Sequence, residues 1–138
     1  MNSMQDNELG FSFIELSITL AIIAILAAIS YPSYIHHTLK AHRLEGKTAL
    51  LNLAASMEHY YLQNNTYQNA TLAKLGIQPT TPHDYYQLHI ITANTDSYLL
   101  EAKPINSQQN DTVCGSLTYD HLGNRGPSNS SNAQTCWE

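Results

Sequence analysis

Gly10-Phe11-Ser12-Phe13-Ile14-Glu15 opens an uncharged apolar run that reaches Ile29, and its reading decides how the rest of the chain is understood. Glu15 is a single carboxylate at the very start of a segment that otherwise reads as membrane-spanning. Leu16 to Ile35 contains no Asp, Glu, Lys, Arg or His. Twenty residues make a helix about 30 Å long, which matches the hydrocarbon core of a bilayer. An ionisable group in such a segment is costly, so it is read as functional and as having a partner. Cleavage after Gly10 would create a positive amine on Phe11, four residues before Glu15 and one helical turn away. Leader, cut site, carboxylate and apolar helix together point to a filament subunit rather than an enzyme.

Three other readings of the segment fit less well. A secretory signal peptide needs a basic start, a short apolar core and a small-residue cleavage site. Residues 1–9 hold no Lys or Arg, the apolar stretch is long, and Ala28-Ile29-Ser30 is the nearest approach to such a site. A plain membrane anchor leaves Glu15 unexplained. A buried helix of a soluble protein would show polar positions at helical spacing, and these are missing. Ser17, Ala21, Ala24 and Ala28 fall on one helix face, and a stripe of small residues lets helix backbones approach closely in lipid. Leu16, Ile18, Leu20, Ile22, Ile23, Ile25, Leu26 and Ile29 occupy the other faces.

The whole chain has 138 residues, enough for one domain with a modest core. With a long helix standing clear, the globular part has about 75 to 90 residues, a size that benefits from a covalent staple. Six basic residues face 11 acidic ones, and removal of residues 1–10 takes away only Asp6 and Glu8. A mildly acidic chain argues against a nucleic-acid surface, which needs clustered positive charge. Cys114 and Cys136 are the two cysteines. An apolar export segment implies an oxidising compartment, where the pair is expected to be bridged; buried free thiols are the alternative.

Beyond the apolar run, Ser30-Tyr31-Pro32-Ser33-Tyr34 interrupts it, and Pro32 is expected to kink the helix. Thr38 to Leu62 reads as an amphipathic helix, with Leu50, Leu53, Ala54, Met57, Tyr60 and Tyr61 at 3.6-residue spacing and Arg43, Glu45, Lys47 and Glu58 on the other faces. Gly46 is unfavourable inside a helix. This half should lie against a sheet. Asn64-Asn65-Thr66-Tyr67-Gln68-Asn69 ends the helix, and residues 63–84 form a loop with a short helical turn at Leu72–Gly76. Pro79 and Pro82 exclude regular structure between them. Strands are expected at Tyr85–Thr92, Ser97–Lys103 and Cys114–Asp120, with Asn94-Thr95-Asp96 as a hairpin connection and antiparallel pairing. Residues 121–135, rich in Gly, Asn and Ser, read as a loop whose ends Cys114 and Cys136 are placed to tie.

Seven histidines, His36, His37, His42, His59, His83, His89 and His121, lack ligand spacing and read as solvated side chains, so no metal and no cofactor is expected. No phosphate loop, nucleophile elbow or paired-carboxylate constellation is present, so no catalytic residue is assigned. Asn64, Asn69, Asn110 and Asn129 open Asn-x-Ser/Thr triplets, which arise by chance in a chain this rich in Asn and Thr.

The N-terminal segment resembles that of the type IV pilins and related pilin-like proteins of bacteria. The likeness extends through Ser30-Tyr31-Pro32-Ser33-Tyr34, Glu58-His59-Tyr60-Tyr61 and Asn64-Asn65-Thr66-Tyr67 to Cys114-Gly115-Ser116-Leu117 and Cys136-Trp137, where it looks most like minor pilins of the PilE type. It is motif-like up to about Tyr67 and architectural afterwards. The resemblance implies cleavage between Gly10 and Phe11 by a prepilin peptidase, N-methylation of Phe11, and a role for Glu15 in assembly opposite a neighbouring subunit's amine. An amine and a carboxylate in low dielectric neutralise each other, and either alone is costly. It also implies other pilin subunits, the pilus assembly machinery with its ATPase motor, and the inner membrane as partners. One feature departs from the family pattern. Pilin leaders usually carry Lys or Arg, whereas this one carries Asp6 and Glu8. Charge counting on Lys40, Arg43 and Lys47 alone then gives the wrong orientation.

The expected fold is therefore α+β, a pilin fold: a long N-terminal helix packed on a small antiparallel sheet with a C-terminal disulfide-bounded loop. Its parts are a leader at 1–10, a membrane and filament-core helix at 11–35, and a head at 36–138 that includes the amphipathic half of the helix. The expected function is a structural subunit of a type IV pilus, held by one span in the inner membrane before assembly and extracellular afterwards. A pseudopilin of a type II secretion system is the alternative, against which Cys114 and Cys136 weigh, since those relatives often lack the pair. A DNA or surface receptor is the third reading. Its candidate cations, Lys40, Arg43, Lys47, Lys74, Lys103 and Arg125, look scattered, and DNA binding is not expected.

Overall fold

The computed structural model describes residues 10–127 and 133–138. All of the leader expected at residues 1–10 except Gly10 lies outside the described residues, as does the triplet at Asn129. The chain divides into two compact units, one reaching His37 and the other running from Thr38 to Glu138.

The first unit is helical. Helix α1 (Phe13–Asn64) has 52 residues, and its first part contains an apolar window with a mean hydropathy of 2.4, long enough to cross a membrane. The helix runs on through Ser30–Tyr34, with Pro32 inside it. Pro32 withholds one amide from the carbonyl of Ala28. A single missing rung leaves the ladder on either side intact.

The second unit is built on a four-stranded antiparallel sheet in the order β1 (Tyr86–Ala93), β2 (Tyr98–Pro104), β3 (Leu117–Asp120) and β4 (Arg125–Pro127). Three of these fall where strands were expected from the sequence. The β1–β2 connection closes with the Asn94 N–H donating to the Ser97 carbonyl at 2.8 Å. A bulge between Ile90 and Thr92 shifts the register there, and the intervening Ile91 is exposed. The stretch 121–135 is not a plain loop: it contains β4, paired to β3 through Leu117↔Pro127 and Tyr119↔Arg125, and the start of helix α3 (Ala133–Trp137).

The core forms where the apolar stripe of α1 meets the sheet. Leu50, Leu53, Ala54 and Met57 from α1 join Tyr86, Leu88, Tyr98, Leu100, Ala102 and Leu117 from the strands. Each large side chain buried here contributes about 1.5–3 kcal/mol through removal of apolar surface from water. Gly46 belongs to the same buried face.

Between α1 and β1, the short helix α2 (Leu72–Leu75) starts at Thr71, whose Oγ1 accepts the Lys74 N–H at 3.2 Å. It ends at Gly76 in the left-handed conformation, φ +67°. The Pro79–Pro82 segment is more ordered than expected. Thr80 bridges Gln87, and the Leu88 N–H donates to the Pro79 carbonyl at 2.7 Å, so the free edge of β1 is covered. Cys114 and Cys136 are bonded, with Cα atoms 5.8 Å apart, which disposes of the free-thiol alternative.

Candidate functional site

Two regions carry the chemistry. At the start of α1, Gly10 and Phe11 precede the helix and are exposed. Ser12 is the residue before its first turn. The Ser12 N–H donates to Oε2 of Glu15 at 3.0 Å, while the Ser12 carbonyl accepts the Leu16 N–H at 3.1 Å. Ser-x-x-Glu is the spacing of a capping box, in which a Glu three residues into the helix returns to the backbone of the cap. Two hydroxyls lie further along. Ser17 Oγ donates to the Phe13 carbonyl at 3.0 Å and Thr19 Oγ1 to the Glu15 carbonyl at 2.8 Å. Ser17, Ala21, Ala24 and Ala28 are all exposed, as are Phe11 at 93 % and Phe13 at 85 %. So much uncovered apolar surface marks an interaction surface rather than one made for water.

In the second unit, a buried polar node ties the β2–β3 connection to α1. Arg43 donates from Nε to Asp111 Oδ2 at 2.6 Å and from a terminal nitrogen to Oδ1 at 2.8 Å. The two side chains are only 11 % and 1 % exposed. Hydrogen bonding to Asp111 holds the Arg43 pKa above its ordinary value, against the opposing effect of burial. The rest of the node satisfies its neighbours. Gln108 Nε2 donates to the Leu39 carbonyl and to the Tyr86 hydroxyl, each at 3.0 Å. Its Oε1 lies 3.2 Å from His42 Nδ1; a carbonyl oxygen only accepts, so that nitrogen carries the proton. Asp111 also accepts the Cys114 N–H at 3.3 Å, which links the charge pair to the disulfide.

Arg43 was expected on a face of α1 turned away from the sheet, and it was one candidate cation for a receptor surface. Both expectations fail, because it is inside. The signal was present: Arg43, Gly46, Leu50, Leu53 and Met57 step by three or four residues along one buried face. Asp111 and Gln108 were missed altogether, since a loop gives no periodicity to read.

Removing Arg43 sharpens the rest of the positive charge. Burial, followed by the charges of Arg43, Lys40 and Arg125, holds the Lys47 pKa below its ordinary value. Lys40, Lys47 and Arg125 thus share one electrostatic neighbourhood despite their separation in sequence. The Arg125 guanidinium lies 5.2 Å from the centre of the Trp137 ring, and the Tyr119 and Trp137 ring centres are 6.1 Å apart. Lys74 is apart, donating to the Asn69 carbonyl at 2.8 Å.

His42 and His83 are not simply solvated. Both stack on Tyr85, at 3.7 and 5.7 Å between ring centres, and His83 Nδ1 is 2.8 Å from Glu45. No group of three His, Cys, Asp or Glu stands together as metal ligands among the described residues.

Comparison with known proteins places these features. A family model described as type IV minor pilin ComP, DNA uptake sequence receptor, matches residues 32–118, more than half of the chain. The prokaryotic N-terminal methylation motif matches residues 6–31. The type IV wide pilus major component PilA4 of Thermus thermophilus is 37 % identical over 99 residues, covering 70 % of this chain and 73 % of that protein. The type IV major pilin protein PilE1 of Neisseria gonorrhoeae is 33 % identical over 81 residues, 58 % of this chain but only 47 % of that protein's length. Among solved structures, the non-core minor pilin PilV of Neisseria meningitidis matches with a TM-score of 0.55 at 26 % identity, covering 69 % of this chain and 91 % of that one. The apolar first helix, the four-stranded sheet and the Cys114–Cys136 disulfide are thus those of a type IV pilin, and the chain belongs to that family, in its minor-pilin branch.

Proposed function

We propose that this pilin is a minor subunit of a type IV pilus, cut by a prepilin peptidase between Gly10 and Phe11, methylated on the Phe11 amine and assembled through the first part of α1. The observation that carries the reading is Glu15. It is the one charged side chain from Phe13 to Ile35, at the head of an apolar helical stretch that none of the described residues covers. Before assembly the helix sits in the inner membrane. In the filament the Ser17/Ala21/Ala24/Ala28 face packs on neighbouring helices, and Glu15 meets a neighbour's Phe11 amine. Intact mass spectrometry of unreduced protein from sheared filaments tests this. A chain beginning at methylated Phe11, lighter than the reduced form by the two hydrogens of one disulfide, supports it. An uncleaved chain confined to the membrane fraction refutes it.

A specific observation favours a second role, in DNA uptake. The family model is described by a DNA uptake sequence receptor, the charges of Lys40 and Arg125 bear on Lys47, and the Arg125 guanidinium lies over the Trp137 ring. Three cations on a phosphate backbone would give a salt dependence of about −3 in log K against log salt. Duplex binding by the full chain in detergent, measured across salt and compared with Lys47→Gln and Arg125→Gln, tests it. Unchanged affinity in both variants ends the reading.

A further inference from the structure

The geometry points to a first duty for Glu15, before any neighbour arrives: it caps its own helix within the membrane through Oε2 and keeps Oε1 for the incoming amine. The inference rests on the assembly reading above and adds a step to it.

The argument begins with the backbone. The first amides of a helix have no carbonyl partner within it. Water satisfies them at a protein surface, but hydrocarbon does not. Glu15 turns its side chain back onto the Ser12 N–H at 3.0 Å, and the amide in question is that of the second residue after the cut, so removal of residues 1–10 leaves it in place. Oε1 has no partner among the described residues. The two carboxylate oxygens therefore differ: one is held by the chain's own backbone, and the other remains available.

This changes what the carboxylate is before assembly. A bare carboxylate in lipid is expensive, and one that accepts a fixed amide is less so. The same contact sets the side-chain torsions, so the free oxygen is already placed when a neighbour's amine approaches. Charge and reach thereby serve different ends. The cap needs an acceptor oxygen on a side chain of this length. The pairing needs the negative charge.

Glu15→Gln keeps the length and an acceptor oxygen but loses the charge; Glu15→Ala loses all three. The full mature chain, isotope-labelled in lipid nanodiscs, is followed by amide hydrogen exchange at Ser12, together with incorporation of each variant into pili. The cap predicts Ser12 exchange within about threefold of wild type for Glu15→Gln and at least about tenfold faster for Glu15→Ala. Equal Ser12 exchange in all three, or Glu15→Gln as fast as Glu15→Ala, overturns it. Glu15→Asp, too short to reach back, must resemble Glu15→Ala and substitutes for it should that variant fail to insert. The assembly reading is judged separately, because it predicts poor incorporation for both Glu15→Gln and Glu15→Ala. Normal incorporation of Glu15→Gln with an intact cap would remove the pairing and leave the cap standing.

Discussion

Tyr86 packs against Gly46 so closely that a Cβ added at Gly46 would stand 2.9 Å from two atoms of the ring. The ring has little room to retreat, because the Tyr86 hydroxyl accepts a hydrogen bond from Gln108 at 3.0 Å. An alanine gains about 1 kcal/mol in helix propensity over glycine. Overpacking a core costs about 1–3 kcal/mol. Gly46→Ala is therefore expected to be a net loss, read as a lower denaturant midpoint, and a rise in that midpoint would show that the helix and strand can move apart cheaply.

Arg43 and Asp111 make a second expectation. Arg43→Met leaves a carboxylate that is 1 % exposed without its partner, which costs about 3–5 kcal/mol. The double variant Arg43→Met/Asp111→Leu removes both charges and should recover most of that loss, since a buried pair adds little over well-packed apolar groups. Unfolding free energies of the two singles and the double settle it. Additive losses would mean the two side chains are not coupled.

Three tyrosines predict the alkaline limit of stability. Burial pushes Tyr86 up to about 12. Burial and then the hydrogen bond to Glu58 push Tyr67 up to about 12, and the same causes raise Tyr98. A phenol whose pKa rises on folding favours the folded state while it is neutral. That contribution is complete below the ordinary value of 10.0 and is lost as pH climbs through the folded value. The denaturant midpoint should hold up to pH 10.0 and fall above it, and ultraviolet titration should show these phenols ionising only as the protein unfolds. A midpoint that stays level through that range would refute the assignment.

Reduction of Cys114–Cys136, which closes a loop across a sequence separation of 22, should lower unfolding free energy by about 3 kcal/mol. The Cys114 amide also holds Asp111, so the loss should be accompanied by faster amide exchange near Arg43. Comparison of oxidised and reduced protein by denaturation and exchange checks both parts. Equal stability in the two forms would leave the disulfide without a stabilising role.

Much of the second unit could be read beforehand where a repeating pattern existed. The stripe Leu50, Leu53, Ala54, Met57 announced the packed face of α1, alternation announced β1 through Tyr86 and Leu88, and the apolar run Tyr98-Leu99-Leu100 announced β2. β4 has only three residues, Arg125-Gly126-Pro127, too few for alternation, and it exists because Leu117 and Tyr119 offer a paired edge. α3 has five residues and no stripe; the disulfide and its contacts with β4 hold it. Arg43 was misplaced for a different reason. Its charge outweighed its position in the stripe, and the carboxylate that makes burial tolerable lies 68 residues away. Around Glu15 the pattern gave the residue but not its contact, since whether a carboxylate reaches back or outward depends on a side-chain torsion.

Between Phe13 and Ile29 the polar side chains are Glu15, Ser17 and Thr19, and both hydroxyls are turned onto the helix's own carbonyls. What such a helix offers its neighbours is dispersion, which has no preferred direction and little preferred register. Two helices of this kind can glide past each other along their length at small cost, and nothing in the hydroxyls would catch them. Glu15 is the one side chain of the three whose hydrogen bonding leaves an oxygen without a partner among the described residues. If Glu15 pairs as proposed, a bundle of such helices is indexed at one point per helix, and that point alone would resist sliding along the helix axes.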